Sequence, residues 1–158
     1  MKLLFKQKFF SWFDSYDIFD ENGNIMFIVK GKMAWGHCLE IYDAHNNHIG
    51  TVKEEIFTFM PRFALYTGGQ YIGDIKKKFT WFKPVFLLDC NGWQVNGDIL
   101  EWEYQVVDPA GNMVMSASKQ LFNWTDTYVI DVVSPENALL SLMIVLAIDA
   151  AKCSRNNN

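Results

Sequence analysis

Ala138-Leu-Leu-Ser-Leu-Met-Ile-Val-Leu-Ala-Ile148 is an apolar run, interrupted only by Ser141, in a chain that otherwise reads as strands. The residues ahead of it carry a helix-start signal. Ser134 can cap, Pro135 suits the first helical turn, and Glu136 sits near the positive end of the helix dipole. No polar stripe runs along the segment, so a helix here must be buried on every side. From Pro135 to Ala151 it spans about 25 Å at ~1.5 Å per residue. A bilayer needs roughly 20 apolar residues, and the run between Asn137 and Asp149 is far shorter. The segment therefore reads as the core of a β-structure and not as a membrane span.

The rest of the chain supplies that β-structure through repetition. Five segments share one plan: Asp20-Glu-Asn-Gly23-Asn24, Asp43-Ala-His-Asn46-Asn47, Tyr66-Thr-Gly-Gly69-Gln70, Asp89-Cys-Asn-Gly92-Trp93 and Asp108-Pro-Ala-Gly111-Asn112. The fourth residue is always Gly or Asn, the types that tolerate left-handed backbone. The first is Asp in all but one, and its side chain can bond the turn's own amides. Each segment is expected to be a hairpin with a type I turn and a left-handed fourth residue.

The first four turns begin at 20, 43, 66 and 89, a constant step of 23 residues, and the fifth follows 19 later. Likeness continues after the turn. Ile49-Gly-Thr-Val-Lys53 matches Ile72-Gly-Asp-Ile-Lys76, and Met26-Phe-Ile-Val-Lys30 keeps two apolar positions and the lysine. A period of this size can mean a solenoid, but the turn chemistry indicates an antiparallel meander with two strands per unit. Period-2 alternation agrees: Leu100, Trp102, Tyr104 and Val106 share one face, with Glu101, Glu103 and Gln105 on the other. Adding an N-terminal strand and one at Tyr128–Val133 predicts about 12 strands, too many for a comfortable open sheet. Closure removes the exposed edges. A barrel this wide cannot be filled by its own side chains, and an apolar helix is a natural plug. The expected fold is mainly β: a closed antiparallel barrel of about 12 strands enclosing the helix near 135–151.

Composition suits one domain, placed at 1–153, with a polar tail at 154–158. Half of the 158 residues are hydrophobic and no low-complexity tract appears, which excludes a largely disordered chain. Fourteen Lys and Arg against eighteen Asp and Glu leave a formal charge of −4, which argues against nucleic acid as the main partner. Cys38, Cys90 and Cys153 are an odd set with no CxxC, as expected of reduced thiols in a cytosolic protein. The lysines at 6 and 8 interrupt the N-terminal apolar residues, so a mature first strand is expected there and not a signal peptide.

Lys6-Gln-Lys-Phe-Phe-Ser-Trp-Phe-Asp-Ser-Tyr-Asp17 resembles the opening of the LURP-one-related proteins, which share the Tubby C-terminal-like fold. The likeness runs on through Asp20-Glu-Asn-Gly-Asn24, the Ile-Gly-x-Val/Ile-Lys repeats, Thr127-Tyr-Val-Ile-Asp-Val132 and Leu146-Ala-Ile-Asp149. It covers nearly the whole chain and is similar in length to the small bacterial or archaeal members. The resemblance implies a closed barrel of about twelve strands around a C-terminal helix. The wider superfamily includes phosphoinositide-binding Tubby proteins and phospholipid scramblases. The chain is expected to lack the scramblases' Cys-rich palmitoylation segment and membrane anchor, and the long N-terminal extension of Tubby.

Candidate sites are few. Lys30, Lys53 and Lys76 recur 23 residues apart and are expected in a row on one face or rim, joined by Lys32, Lys77 and Lys78. Phe79, Trp81, Phe82 and Lys83 follow, mixing basic and aromatic residues as a headgroup-binding surface does. Solvated gatekeeper lysines, with Trp81 and Phe82 in the core, are the other reading. His37, His45 and His48 lack a metal-ligand spacing. Asp149 and Asp131 have no second acid or base nearby in sequence to suggest catalysis. No Gly-rich phosphate loop, Gly-x-Ser-x-Gly elbow or His-Glu-x-x-His helix appears. The expectation is a non-enzymatic, cytoplasmic binding or scaffold domain with no catalytic residue, metal or cofactor. It is expected to dock peripherally on anionic phospholipid or phosphoinositide headgroups. The alternative is a protein–protein interaction module with no lipid role.

Overall fold

The computed structural model describes residues 1–6, 15–32, 34–78, 85–122 and 125–156. Twelve strands follow one another in the order β1 (Lys2–Lys6), β2 (Ser15–Phe19), β3 (Ile25–Lys32), β4 (Cys38–Asp43), β5 (His48–Glu54) and β6 (Arg62–Thr67). Then come β7 (Gln70–Lys78), β8 (Val85–Leu88), β9 (Gln94–Asp98), β10 (Glu103–Val107), β11 (Met113–Phe122) and β12 (Thr125–Val132). Each pairs antiparallel with its neighbours in sequence, and β1 pairs with β12 from Lys2 opposite Asp131 to Lys6 opposite Thr127. The sheet is a closed barrel with no free edge, as the strand count and the edge argument anticipated.

After a 3-10 turn at Pro135–Asn137, helix α1 (Ala138–Asn156) runs through the barrel. Every residue from Ser141 to Ala151 is buried, which a helix lying on a surface cannot achieve. The inward residues of the strands meet it all round, among them Leu3, Ile18, Val29, Ile41, Phe63 and Met115, each essentially sealed from solvent. Gly50 marks the closest approach: a Cβ there would stand 2.3 Å from Met143 Cε. The helix begins without a side-chain cap from Ser134, whose carbonyl instead accepts the Asn137 amide at 2.9 Å. It also continues through Ser154 to Asn156, into the segment expected as a tail, because no Gly or Pro follows Lys152 to stop it.

The turns divide the barrel chemically. At Asp20, Asp43 and Asp108 the expected geometry holds, with Gly23, Asn46 and Gly111 left-handed at φ 84°, 64° and 86°. Each Asp accepts the amide two residues on and the amide four residues on, at 2.8–2.9 Å. The third turn differs: Gly68 and Gly69 are both left-handed, the pattern of a two-residue type I′ hairpin. The fourth is wider, closed by Leu88 N to Trp93 O at 2.8 Å, and Asp89 turns away to bond Asp74 N at 2.7 Å. All five turns lie at one end of the barrel. The connections that carry β3 into β4 (33–37), β5 into β6 (55–61) and β9 into β10 (99–102) lie at the other.

One strand expectation fails. The alternation from Leu100 to Val106 does not mark one strand, since β10 starts at Glu103. Asp98 Oδ1 accepts the amides of Leu100 and Glu101 at 3.0 and 3.2 Å, and Trp102 is left-handed at φ 61°. Trp102 still turns inward, 4.2 Å centroid to centroid from Tyr128, while Leu100 is exposed.

Leu142 is wholly buried at the centre of this packing. Leu142→Ala is expected to destabilise the protein by about 2–5 kcal/mol, the usual result of an unfilled core cavity. Urea unfolding of the two proteins measures the difference.

Candidate functional site

The three repeated lysines all point outward, because Val29, Val52 and Ile75 beside them turn into the core. They do not share a rung. Lys30 stands opposite Glu40, which faces Thr51 on β5, while Lys53 lies two residues further along and faces Ala64. Ala64 in turn faces Asp74, and Lys76 is again two residues beyond. The expected row is therefore a diagonal that climbs toward the end bearing the wide connections, as the stagger of a closed barrel dictates.

Neighbouring acceptors occupy two of the three. Lys30 Nζ donates to Asn46 Oδ1 at 2.8 Å and sits 4.1 Å above the Tyr42 ring. Lys76 Nζ lies 2.6 Å from Asp89 Oδ2 and 3.6 Å from Asp74 Oδ2. Lys32 Nζ is 2.6 Å from Glu40 Oε1. Asp74, fully buried, also takes Arg62, whose Nε is 2.9 Å from Glu55. Burial acts to raise the Asp89 pKa, but the Asp74 amide and the Lys76 ammonium outweigh it and hold the carboxyl below its ordinary value. Lys53 and Lys78 are exposed, and Lys77 is half-buried. Trp81 and Lys83 lie outside the described residues, as do Phe79 and Phe82.

Lys53 lines a groove of about 510 Å³ between the 33–37 and 55–61 connections, together with Trp35, Ile56, Ala64 and Tyr66. The two connections are fastened to each other. His37 donates its amide to Glu54 Oε2 at 3.0 Å, its ring Nδ1 is 2.5 Å from the same oxygen, and Glu54 N donates to His37 O at 2.7 Å. Gly36, at φ 85°, lets the chains touch, since a Cβ there would come 2.9 Å from Ile56 Cγ2. Beyond the groove the tips are apolar and uncovered: Trp35 is 85% exposed, Phe57 98% and Phe59 99%. Sequence reasoning did not single these out. The available signal was an aromatic residue in a segment that the 23-residue repeat places between strands.

The three histidines go to separate places. His37 belongs to the Glu54 fastening, His45 stands on a tight turn, and His48 Nε2 is 2.9 Å from Thr51 Oγ1. Among the described residues, no three His, Cys, Asp or Glu side chains gather as a metal ion would need. Cys38 is half-buried and Cys90 exposed, both free thiols, and burial pushes the pKa of each up. The Cys153 side chain lies outside those described. Asp131 is exposed. Asp149 is not at the end of the helix. It lies about two turns earlier, is buried, and its Oδ2 finds no hydrogen-bond donor among the described residues. Burial pushes its carboxyl up to about 7, with Lys152 opposing. Burial, and then the Asp149 charge, raise the hydroxyl pKa of Tyr16 and Tyr104.

A closed antiparallel barrel of twelve strands plugged by its own C-terminal helix defines the class. The sequence profile of the LURP-one-related family matches residues 1–149, and the chain belongs to that family. It is 29% identical over 150 residues to the uncharacterised protein YxjI of Bacillus subtilis, covering 94% of this chain and 92% of that one. The X-ray structure of a protein from Arabidopsis thaliana superposes with a TM-score of 0.63 at 18% identity, over 94% of this chain and 90% of that one. This last likeness is one of fold. No helix among the described residues is long and apolar enough to cross a membrane.

The buried Asp149 imposes a pH dependence of known sign. From about pH 4, the ordinary carboxyl value, up to about 7 the folded protein retains a proton that the unfolded chain has lost. Stability therefore falls as pH rises through that window. Asp149→Asn is expected to gain on the parent between pH 4 and pH 8, by on the order of 4 kcal/mol. Denaturant midpoints of both proteins at the two pH values measure the gain.

Proposed function

We propose that this domain is a non-enzymatic binding protein that docks on anionic phospholipid headgroups. The observation that carries the reading is the position of its exposed lysines. Lys53 stands in a groove at the end of β5, and Lys78 ends β7, both at the barrel end that bears the wide connections. Lys30 and Lys76, drawn toward Asn46 and Asp89, lend charge to the same diagonal but have acceptors of their own. Lys77 belongs to it by position.

The electrostatics are modest. A lysine near an anionic leaflet contributes about 1 kcal/mol, so Lys53 and Lys78 together supply about 2 kcal/mol. The chain as a whole is negative, at −4, which works against approach. Charge alone thus gives weak, salt-sensitive docking, and stable attachment takes a second signal.

The charge component is tested by co-sedimentation with phosphatidylcholine vesicles, with and without phosphatidylserine. Binding is expected only with the anionic lipid and should weaken as salt shortens the screening length. Lys53→Gln with Lys78→Gln should lower affinity by about thirtyfold, since 1.4 kcal/mol is tenfold, and leave the melting temperature unchanged. Equal binding by parent and double variant would remove the lysines from the interface.

A further inference from the structure

The three described large apolar side chains that are more than four-fifths exposed are Trp35, Phe57 and Phe59. All lie on two adjacent connections at one end of the barrel, opposite the five tight turns. At the turn end, Ile25, Tyr71, Met113 and Val133 are each about half covered by their neighbours. The tips of the two connections are therefore the most hydrophobic protrusions described on the molecule.

Nothing in the packing of the described residues accounts for them. Phe57 and Phe59 contribute almost no buried area to the fold. Phe57 is moreover held left-handed at φ 67°, a conformation that L side chains with a Cβ rarely adopt. The segment is anchored from below, not at its tip. Glu55 N donates to Arg62 O at 2.9 Å, Thr58 Oγ1 donates to Glu55 O at 3.1 Å, and Arg62 joins Glu55 to buried Asp74. Across the groove, the His37–Glu54 contacts hold the Trp35 connection beside it. Two firmly based loops thus present separate aromatic tips with an exposed lysine, Lys53, lying between and below them.

Resting on the docking reading above, we infer that the barrel stands end-on to the membrane, with Trp35, Phe57 and Phe59 inserted at the interface of an anionic bilayer. Isolated protruding rings suit a fluid medium that closes around each of them. A protein partner would need a matching socket for every ring. Aromatic side chains settle at the headgroup level, and this depth brings the Lys53 ammonium into reach of lipid phosphates. Insertion supplies the second signal that two lysines lack.

The experiment uses the full chain and two sets of substitutions, with vesicles of phosphatidylcholine alone or mixed with phosphatidylserine. Trp35→Ser, Phe57→Ser and Phe59→Ser combined should leave thermal unfolding unchanged, because these side chains are solvated in the fold. They should reduce binding to the anionic vesicles more than tenfold and abolish the fraction that survives high salt. In the parent, lipids brominated near the glycerol should quench part of the tryptophan emission, and Trp35→Phe should remove that part. If the triple variant binds like the parent, insertion is overturned while docking through lysine stands. If the parent binds neutral and anionic vesicles alike and the triple variant binds neither, insertion stands and the charge reading falls. Absence of parent binding to any vesicle overturns both. Self-association that the triple substitution disperses, without vesicle binding, also overturns insertion and assigns the tips to a second copy of the chain.

Discussion

An apolar helix with no polar side can exist in water only if something surrounds it completely. That requirement governs the rest of the structure. Eleven consecutive residues from Ser141 to Ala151 are buried, so no arc of that stretch of α1 is left for solvent. A single sheet can cover such a helix in every direction only by closing on itself, and pairing of β1 with β12 does this. Closure in turn disposes of the two edges that an open sheet of this size would leave exposed. The same burial has costs. Ser141 Oγ and Asp149 Oδ2 lie inside without hydrogen-bond donors or acceptors among the described residues, and Asp149 is favoured in its protonated form. Core burial of the surrounding Leu, Ile, Met and Val side chains, each on the order of 1.5–3 kcal/mol, outweighs these local penalties.

The features legible in sequence were those set by short-range rules. The helix was legible because an all-apolar run has one interpretation in a β-rich chain. Three turns were legible in detail because an Asp bonding its own backbone, followed by Gly or Asn, is a local device. The misreadings occurred where distant contacts decide. Asp89 occupies the same repeat position as Asp20 and Asp43, yet Asp74 and Lys76 draw it out of its turn. Trp102 alternates correctly in sequence but turns inward from a left-handed bend, packed on Tyr128 and Phe5 and covered by Lys152. Equal spacing of Lys30, Lys53 and Lys76 suggested a row on one face or rim, and the stagger of the barrel runs that row as a diagonal across the outer face. Stagger belongs to closure as a whole and leaves no mark within any single repeat.

The lysines also show why a count of surface charge is a poor guide to a binding site. Four cations along β3 to β7 reach acceptors on neighbouring strands, turns and loop bases: Lys30 to Asn46, Lys32 to Glu40, Arg62 to Glu55 and Asp74, and Lys76 to Asp89. These pairs fix strand neighbours and loop bases on the outer wall. Lys53 differs because its cross-strand neighbours are Cys38 and Ala64, which offer it no carboxylate. Of the three repeated lysines it is the exposed one, and Glu54 and Glu55 line the same groove.

The two ends of the barrel divide structural and functional work for a physical reason. In the tight turns the polar side chains are consumed by their own backbone: Asp20, Asp43 and Asp108 each satisfy two amides and a neighbouring Asn side chain. Substituents so engaged have little left to offer a ligand. The connections at 33–37 and 55–61 face the opposite situation. Their bases are held by Glu54, Glu55 and Arg62, so their tips are free of any duty in folding. A stretch relieved of that duty is expected to be polar and solvated, yet these tips carry Trp35, Phe57 and Phe59 in full exposure. Exposed rings raise the cost of staying in water without contributing to the core. Their presence on loops held at their bases therefore argues for contact with something outside the molecule.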